Sequence, residues 1–398
     1  MDDLIRNKKE EFKFTGIEKL TSITIITTLG FAFINTIWAV YMDSFIHSIV
    51  LVGFFSSLLT LISFLSYFLF IPLIEKTDKS KIYGYTLLLF TITYILFAIN
   101  TKFYFFVLLA FVFVILNTLR VTSFGLIVKD KSPKESLSKN EGIVYTFANT
   151  SFVLGPLIAG LISSKFGINT VFLLAALFVF SGFILLKITK IRDGNIKKKT
   201  DDNILKNFKD FFKSKKRILA YFLRGGVNLW WVLIYLFIPL FIIRNNMTEL
   251  WIGYFLFAVA VPLILLEYFF GKLAGKIGFK KLFKIGFLIP CILVIICFFM
   301  TNIYIILLLL VLASIGLAML EPTTEAYFFD ISKSKEILRF YGPFNTTISI
   351  NRFIGKIFAS ILLIFLPFKF IFLLFGAFMF IMFLISFKIK DIIEEKRN

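Results

Sequence analysis

Twelve mostly apolar stretches, each eighteen residues or longer, run through this chain of 398 residues. They fall near 20–46, 50–73, 82–99, 103–128, 142–164, 168–188, 218–243, 250–271, 282–299, 303–329, 341–366 and 368–388. A helix rises about 1.5 Å per residue, so each stretch approaches or exceeds the ~30 Å hydrocarbon core of a bilayer. In lipid only helices and closed barrels satisfy their own backbone polar groups. Barrel strands alternate apolar and polar residues, whereas Ile303–Leu312 is apolar all round. The expected fold class is an all-α integral membrane protein with twelve transmembrane helices. A mean hydropathy of +0.89 with 59% hydrophobic residues excludes an ordinary soluble domain.

The net charge of +20 would suggest nucleic acid in a soluble protein. Its distribution gives a simpler reading, with no nucleic-acid partner. With the N-terminus inside, the inner connections and termini hold thirty-six Lys and Arg, while the outer connections hold Lys102, Lys165, Arg244 and Lys369. Basic residues gather on the cytoplasmic side of membrane proteins. Both termini are therefore expected in the cytoplasm and the protein in the cell membrane. The opening residues are too acidic, and the first apolar run too long, for a cleavable signal peptide. Cys291 and Cys297 share one apolar span, so no disulfide, metal site or cofactor is expected. The single histidine, His47, falls in an expected external connection as a solvated surface residue.

A shift of 200 residues superposes the two halves. Gly53 meets Gly253, Lys76 meets Lys276, Lys81 meets Lys281, Asp130 meets Asp330, Gly142 meets Gly342 and Gly155 meets Gly355. Glycines and loop charges in register are harder to match by chance than Phe or Leu in this composition. The domains expected are a six-helix bundle over 1–188, a cytoplasmic linker over 189–217 and a second bundle over 218–398. Within the linker, Ile204, Phe208 and Phe211 recur at helical spacing among lysines, which predicts a basic amphipathic helix lying on the inner leaflet.

Two local patterns carry a family resemblance. After span 8 the chain reads Gly271-Lys-Leu-Ala-Gly275-Lys276-Ile-Gly278-Phe-Lys280-Lys281. The first-half copy keeps an acid at Glu75 beside Lys76 but lacks the glycines. Span 5 contains Gly142, Ser151, Gly155, Pro156, Ala159 and Gly160 at fixed spacing. The first pattern resembles the loop signature of the major facilitator superfamily, G-x-x-x-D-[RK]-x-G-[RK]-[RK], with Gly275 in place of the usual aspartate. The second resembles the fifth-helix motif of that family's proton-coupled exporters, with Ser and Ala replacing two glycines. The resemblance implies two pseudo-symmetric six-helix bundles rocking about a central site. It also implies that the span 5 glycines let the bundles approach and that the proline bends the helix. Arg120 resembles the arginine of the family's fourth-helix motif, although Gly125 falls one place late.

Ionisable groups inside spans are costly and default to functional candidates. Arg120 in span 4 and Glu321 in span 10 lie roughly 13 Å from the cytoplasmic ends of their helices, with Glu325 one turn shallower. In the resembled family spans 1, 4, 7 and 10 line the central cavity, so Arg120 is expected either to face the acid pair across it and gate by approaching it, or to serve as a fixed ion-pair partner within its own bundle. Glu321 or Glu325 is the expected proton carrier. Arg352 and Lys356, one turn apart in polar span 11, look to Glu321 for a counter-ion. Asn35, Asn117, Arg224 and Asn228 complete the expected pathway, while Glu267, one turn before Gly271, is expected to brace the adjoining loop.

No phosphate-cradling loop, histidine pair or soluble domain is present, so enzymatic function and internal ATP hydrolysis are not expected. The expected function is secondary active transport of a small molecule by alternating access, most simply proton-coupled export. An uptake or exchange carrier for a polar or anionic nutrient is the alternative, favoured by the intramembrane cations. A non-transporting receptor or scaffold is the third. The partners expected are a small-molecule substrate, protons and the lipid bilayer, with the carrier acting as a monomer.

Overall fold

The computed structural model describes residues 16–75, 77–131, 137–189, 204–332 and 334–393. Lys76 lies outside these residues, as does much of the 189–217 linker. Among the described residues the helices are α1 Gly16–Ile46, α2 Ile49–Glu75, α3 Lys79–Ile99, α4 Phe103–Lys131, α5 Leu137–Phe166 and α6 Ile168–Ile188. A short α7, Ile204–Phe211, precedes α8 Lys215–Arg244, α9 Glu249–Ile277, α10 Phe279–Phe299, α11 Ile303–Ile331, α12 Ser334–Phe365 and α13 Phe370–Ser386. Eleven of these are long and apolar enough to cross a membrane. α13, at seventeen residues, is about 25 Å long and supplies the twelfth.

Many helix hydroxyls find their partner within their own helix. In α1 the hydroxyls of Thr21, Thr24, Thr27 and Thr36 each donate to the carbonyl four residues back, at 2.8–2.9 Å. Short connections need special starts. Asp78 caps α3 by accepting from the Lys81 amide at 3.0 Å. Gly278, with φ +90°, takes the turn between α9 and α10 that a side chain would strain.

Each half packs on itself first. α1 lies against α5 and α6, and α3 against α4 and α6; in the second half α10 lies against α11 and α13, and α8 against α12. The halves join through α2 with α12, α5 with α9, and α1 with α8. The closest of these joints lie toward the face opposite the two chain termini. A Cβ on Gly160 of α5 would stand 2.9 Å from the Cα of Gly253 in α9, and one on Gly253 would stand 2.6 Å from the Pro156 carbonyl. Gly53 of α2 meets Ser360 of α12 in the same way. Arg244 Nη2 donates to both carboxylate oxygens of Asp43, at 2.8 and 2.9 Å, tying the far ends of α1 and α8.

The glycine motifs divide differently from expectation. Only Gly160 serves the joint between halves; Gly155 packs inside its own half, where a Cβ would come within 2.5 Å of Ala32 in α1. Gly271 is not a packing glycine, since nothing lies within 4 Å of a Cβ there. Gly142 and Glu75 fall within α5 and α2, and Lys276 is exposed near the end of α9.

α7 also differs from a helix resting on lipid. Phe211 is fully buried against Tyr221 and Phe340, with ring centroids 6.0 and 6.1 Å away. Arg339 of α12 donates to Asn207 at 2.6 Å and pairs with Asp210, while Arg217 donates to the Phe211 carbonyl at 3.1 Å. Phe208 reaches Phe68 of α2, centroids 5.8 Å apart. The linker helix buries its apolar edge in the second half and touches the first.

Candidate functional site

Between the halves, on the terminal side of the glycine joint, lies a cavity of about 580 Å³. That is the size of a site for a small organic molecule. Helical spacing explains its lining, because residues three, four and seven apart share a face. α1 presents Phe31, Asn35 and Trp38; α4 presents Phe113, Asn117 and Arg120; α5 adds Asn149 and Phe152. From the second half come Trp231 and Tyr235 of α8, Glu267 of α9, Glu321 of α11, and Arg352 and Lys356 of α12.

Arg120 is held in its own half. Its guanidinium carbon lies 3.9 Å from the Phe31 ring centroid, and Nη2 donates to Asn117 at 3.0 Å. A cation over a desolvated aromatic face gains of order 2 kcal/mol, which compensates part of the cost of removing this charge from water. Glu321 sits on the opposite wall and accepts from the indole N–H of Trp231 at 3.1 Å. Arg120 and Glu321 share the cavity without touching. Trp231 and Tyr235, one turn apart, tilt against each other with centroids 5.3 Å apart, and Trp38 lies 4.7 Å from Phe113.

Prolines place two of these groups. Residues Leu233–Phe237 form a π-helical turn around Tyr235. Pro239 has no amide to donate to the Tyr235 carbonyl, and the Ile238 amide reaches back to Leu233 instead. Pro322 removes one rung of the ladder directly after Glu321, and Thr323 turns its hydroxyl to the Met319 carbonyl.

Several expected pathway residues stand behind the wall rather than in it. Glu325 pairs with Arg224 at 3.2 Å and accepts from the Tyr341 hydroxyl at 2.6 Å, so this acid is fixed inside the second half and does not line the cavity. Arg224 also donates to the Glu321 backbone carbonyl at 3.3 Å, and Asn228 donates to the Arg224 carbonyl at 3.0 Å. Arg224 thus supports the Glu321 turn and Asn228 bonds within its own helix, and neither lines the cavity. Lys356 does not turn to Glu321; it crosses to α2 and donates to the Ser56 carbonyl at 3.2 Å and Thr60 Oγ1 at 2.8 Å. Conversely Glu267, expected to brace a loop, faces the cavity. Its distance from the loop along α9 is two to three helical turns, which leaves it at cavity depth. The sequence shows aromatic-rich spans but does not single out which rings line the cavity. The signal for that lining was the ring at i, i+4 or i+7 from Asn35, Asn117 and Arg120, hidden among fifty-five phenylalanines.

Comparison with known proteins fixes what this architecture is. The model of the Major Facilitator Superfamily matches residues 20–264 and 229–397. The chain belongs to that superfamily. It is a multi-pass membrane protein and a secondary transporter, not an enzyme. The fold is similar to that of a POT family transporter in complex with 5-aminolevulinic acid, with a TM-score of 0.75 at 14% identity, covering 96% of this chain and 97% of that one. A bacterial homologue of the human lysosomal transporter Spinster, in an inward-facing and unoccupied conformation, gives 0.74 at 13% identity over 94% and 96%. A peptide transporter POT in complex with sulfate gives 0.72 at 13% over 96% and 94%. No curated protein matches the sequence.

Proposed function

We propose that this superfamily member moves a small organic anion across the cell membrane by alternating access, with protons as the coupling ion. One observation carries the reading: among the described residues, the cavity between the halves gathers Arg120, Arg352 and Lys356 with Glu321 and Glu267 against them, among aromatic rings. Three cations in a low-dielectric chamber favour an anionic guest, and the rings favour an apolar body. The bound molecules named for two structurally similar transporters, 5-aminolevulinic acid and sulfate, both carry an anionic group, which agrees with this chemistry.

The loop charges orient the carrier with its termini in the cytoplasm. The Gly160–Gly253 joint and the Asp43–Arg244 pair then close the outer side, and the cavity belongs to an inward-facing state. The units 1–188 and 218–398 rock about that joint, with 189–217 as their tether and the monomer as the working form. Proton-driven export is a second reading, favoured by Gly160 of the span 5 motif standing at the joint between halves.

Proteoliposome flux tests the proposal. Imposing an inward-directed or an outward-directed pH gradient on vesicles loaded with labelled organic acids should drive net movement in one case and collapse with a protonophore. The sign separates uptake from export. Flux unaffected by the gradient would remove the proton, and specific binding with no flux would leave a receptor. Reporter fusions after residues 47 and 247 should both read outside; a cytoplasmic signal at either would invert the orientation.

A further inference from the structure

We infer that Arg352 and Glu267 act as a coupled site, in which the guanidinium receives the anionic group of the substrate and the carboxyl takes up a proton in the same event. The inference deepens the transport reading above and rests on it.

The cations of the cavity are not equivalent. Arg120 is occupied by Phe31 and Asn117, and Lys356 by Ser56 and Thr60. Arg352 lies deep in the bundle yet is exposed, because it faces the cavity. Among the described residues it makes no hydrogen bond or ion pair. Its five N–H donors form a planar fork that matches a carboxylate in bidentate geometry.

The acids are not equivalent either. Adding a proton to Glu325 would break its ion pair with Arg224 and oppose the Tyr341 hydroxyl bond. Adding one to Glu321 would weaken the bond from the Trp231 indole. Glu267 is half-buried and, among the described residues, has no hydrogen-bond or ion-pair partner. Protonation there breaks nothing and removes like-charge repulsion with Glu321, which lines the same cavity from the packed helix α11. The other charged and titratable groups facing this space are Arg352 and Lys356 from α12, Tyr235 from α8, Tyr94 from α3 and Arg120 from α4.

Before substrate arrives, the guanidinium offsets Glu321, whose charge in turn opposes one on Glu267. An anion seated on Arg352 takes up that positive field, and the carboxylates are left facing each other. A proton from water then forms an O–H bond on Glu267, and no bond in the substrate changes. Anion and proton therefore bind with positive linkage, and linkage is reciprocal: each raises the affinity for the other by the same factor. The result is co-transport of anion and proton.

Titration calorimetry of the purified full chain with benzoate, phenylacetate and 5-aminolevulinate, repeated in buffers of different ionisation enthalpy, tests this. Saturable binding of at least one of these acids is expected, with uptake of close to one proton. Affinity should then rise by up to about tenfold per unit fall in pH where Glu267 titrates. Arg352→Gln should weaken binding tenfold or more. Glu267→Gln should still bind, with proton uptake and pH slope both gone, whereas Glu321→Gln, which keeps the titrating carboxyl but removes its repelling neighbour, should flatten the slope without abolishing uptake. If Arg352→Gln does not fold, Arg352→Lys keeps the charge without the fork and should bind more weakly with an unchanged pH slope. No binding of any of the three acids, wild-type affinity in both Arg352 variants, or proton uptake persisting in Glu267→Gln would overturn the pair. Flux of a neutral or cationic solute without carboxylate binding would sink the pair and leave the transporter. Carboxylate binding with proton uptake but no flux would sink the transport reading instead.

Discussion

The two walls of the cavity come from repeat-equivalent helices and carry different chemistry. Phe31 and Trp231, Asn35 and Tyr235, and Phe152 and Arg352 are pairs 200 residues apart, and both members of each pair line the cavity. The first-half wall is built of rings and amides around one cation, Arg120, that is already covered. The second-half wall holds both cavity carboxylates and the uncovered cation. A shared backbone repeat thus places side chains at matching positions while leaving their chemistry free. One wall is suited to hold the body of a guest, and the other to handle its charge.

Exchanging chemistry between the walls should give the largest effect. Arg352→Phe gives the second wall the residue of its repeat partner and removes charge-assisted hydrogen bonds of about 1.5–3 kcal/mol. Organic-acid binding should fall by about 10- to 100-fold. Phe152→Ala removes only ring contact from the first wall, at about 0.5–1.5 kcal/mol. Equal losses in isothermal titrations of the two variants would end the division of labour between walls.

The joint between the halves comes next. Gly160→Leu inserts a side chain where a Cβ alone would stand 2.9 Å from Gly253. Overpacking of this kind costs about 1–3 kcal/mol and should push the far faces apart, several-fold or more in population. Labelling of a Ser360→Cys reporter, buried at the joint, should speed up accordingly, while Gly271→Ala, with open space around it, should leave the rate unchanged. A smaller change is expected from Asp43→Asn. Arg244 is 44% exposed, so solvent screens its pair with Asp43, and the loss should be about 0.5–1 kcal/mol. High salt should mimic part of it. A Ser360→Cys labelling rate that ignores both salt and the Asp43 substitution would show that the glycine joint alone closes this face.

The linker helix should give the smallest effect. Asp210 is held below the usual carboxylate range, chiefly by the hydrogen bond from Lys213 and further by Arg339. A lowered carboxyl contributes fully above its ordinary range, and its contribution is lost as pH falls through the lowered value. Crosslinking between Phe208→Cys and Phe68→Cys should hold steady near neutral pH, begin to loosen as pH falls through the ordinary carboxylate range and be loosest below the lowered value. The same crosslink in Asp210→Asn should be flat with pH; loosening at the same pH there would assign the effect elsewhere.

Legibility followed the range of the interaction. The twelve spans, the loop charges and the 200-residue repeat could be read because each depends on the chain's own local pattern. The helix over 204–211 was legible for the same reason, but not its docking, since Arg339 lies more than a hundred residues away. Arg120 and Glu321 share a depth that the sequence gives, yet depth says nothing of rotation. One residue turns a helix by about 100°, enough to move a side chain from cavity to neighbouring helix. Glu325, one turn from Glu321, found Arg224 and Tyr341 instead.

What the sequence alone determined is therefore the class and the plan: apolar runs in lipid have one way to satisfy their backbone, and charge in the loops fixes their alternation. What only the tertiary structure decided is which buried charges are spent and which are free. Glu325 is bound, Glu267 is open, Lys356 is shared with α2, and Arg352 is left facing the cavity. The reason is physical. A buried charge settles with whatever partner packing brings within a few ångströms, and those partners come from helices far apart in the chain.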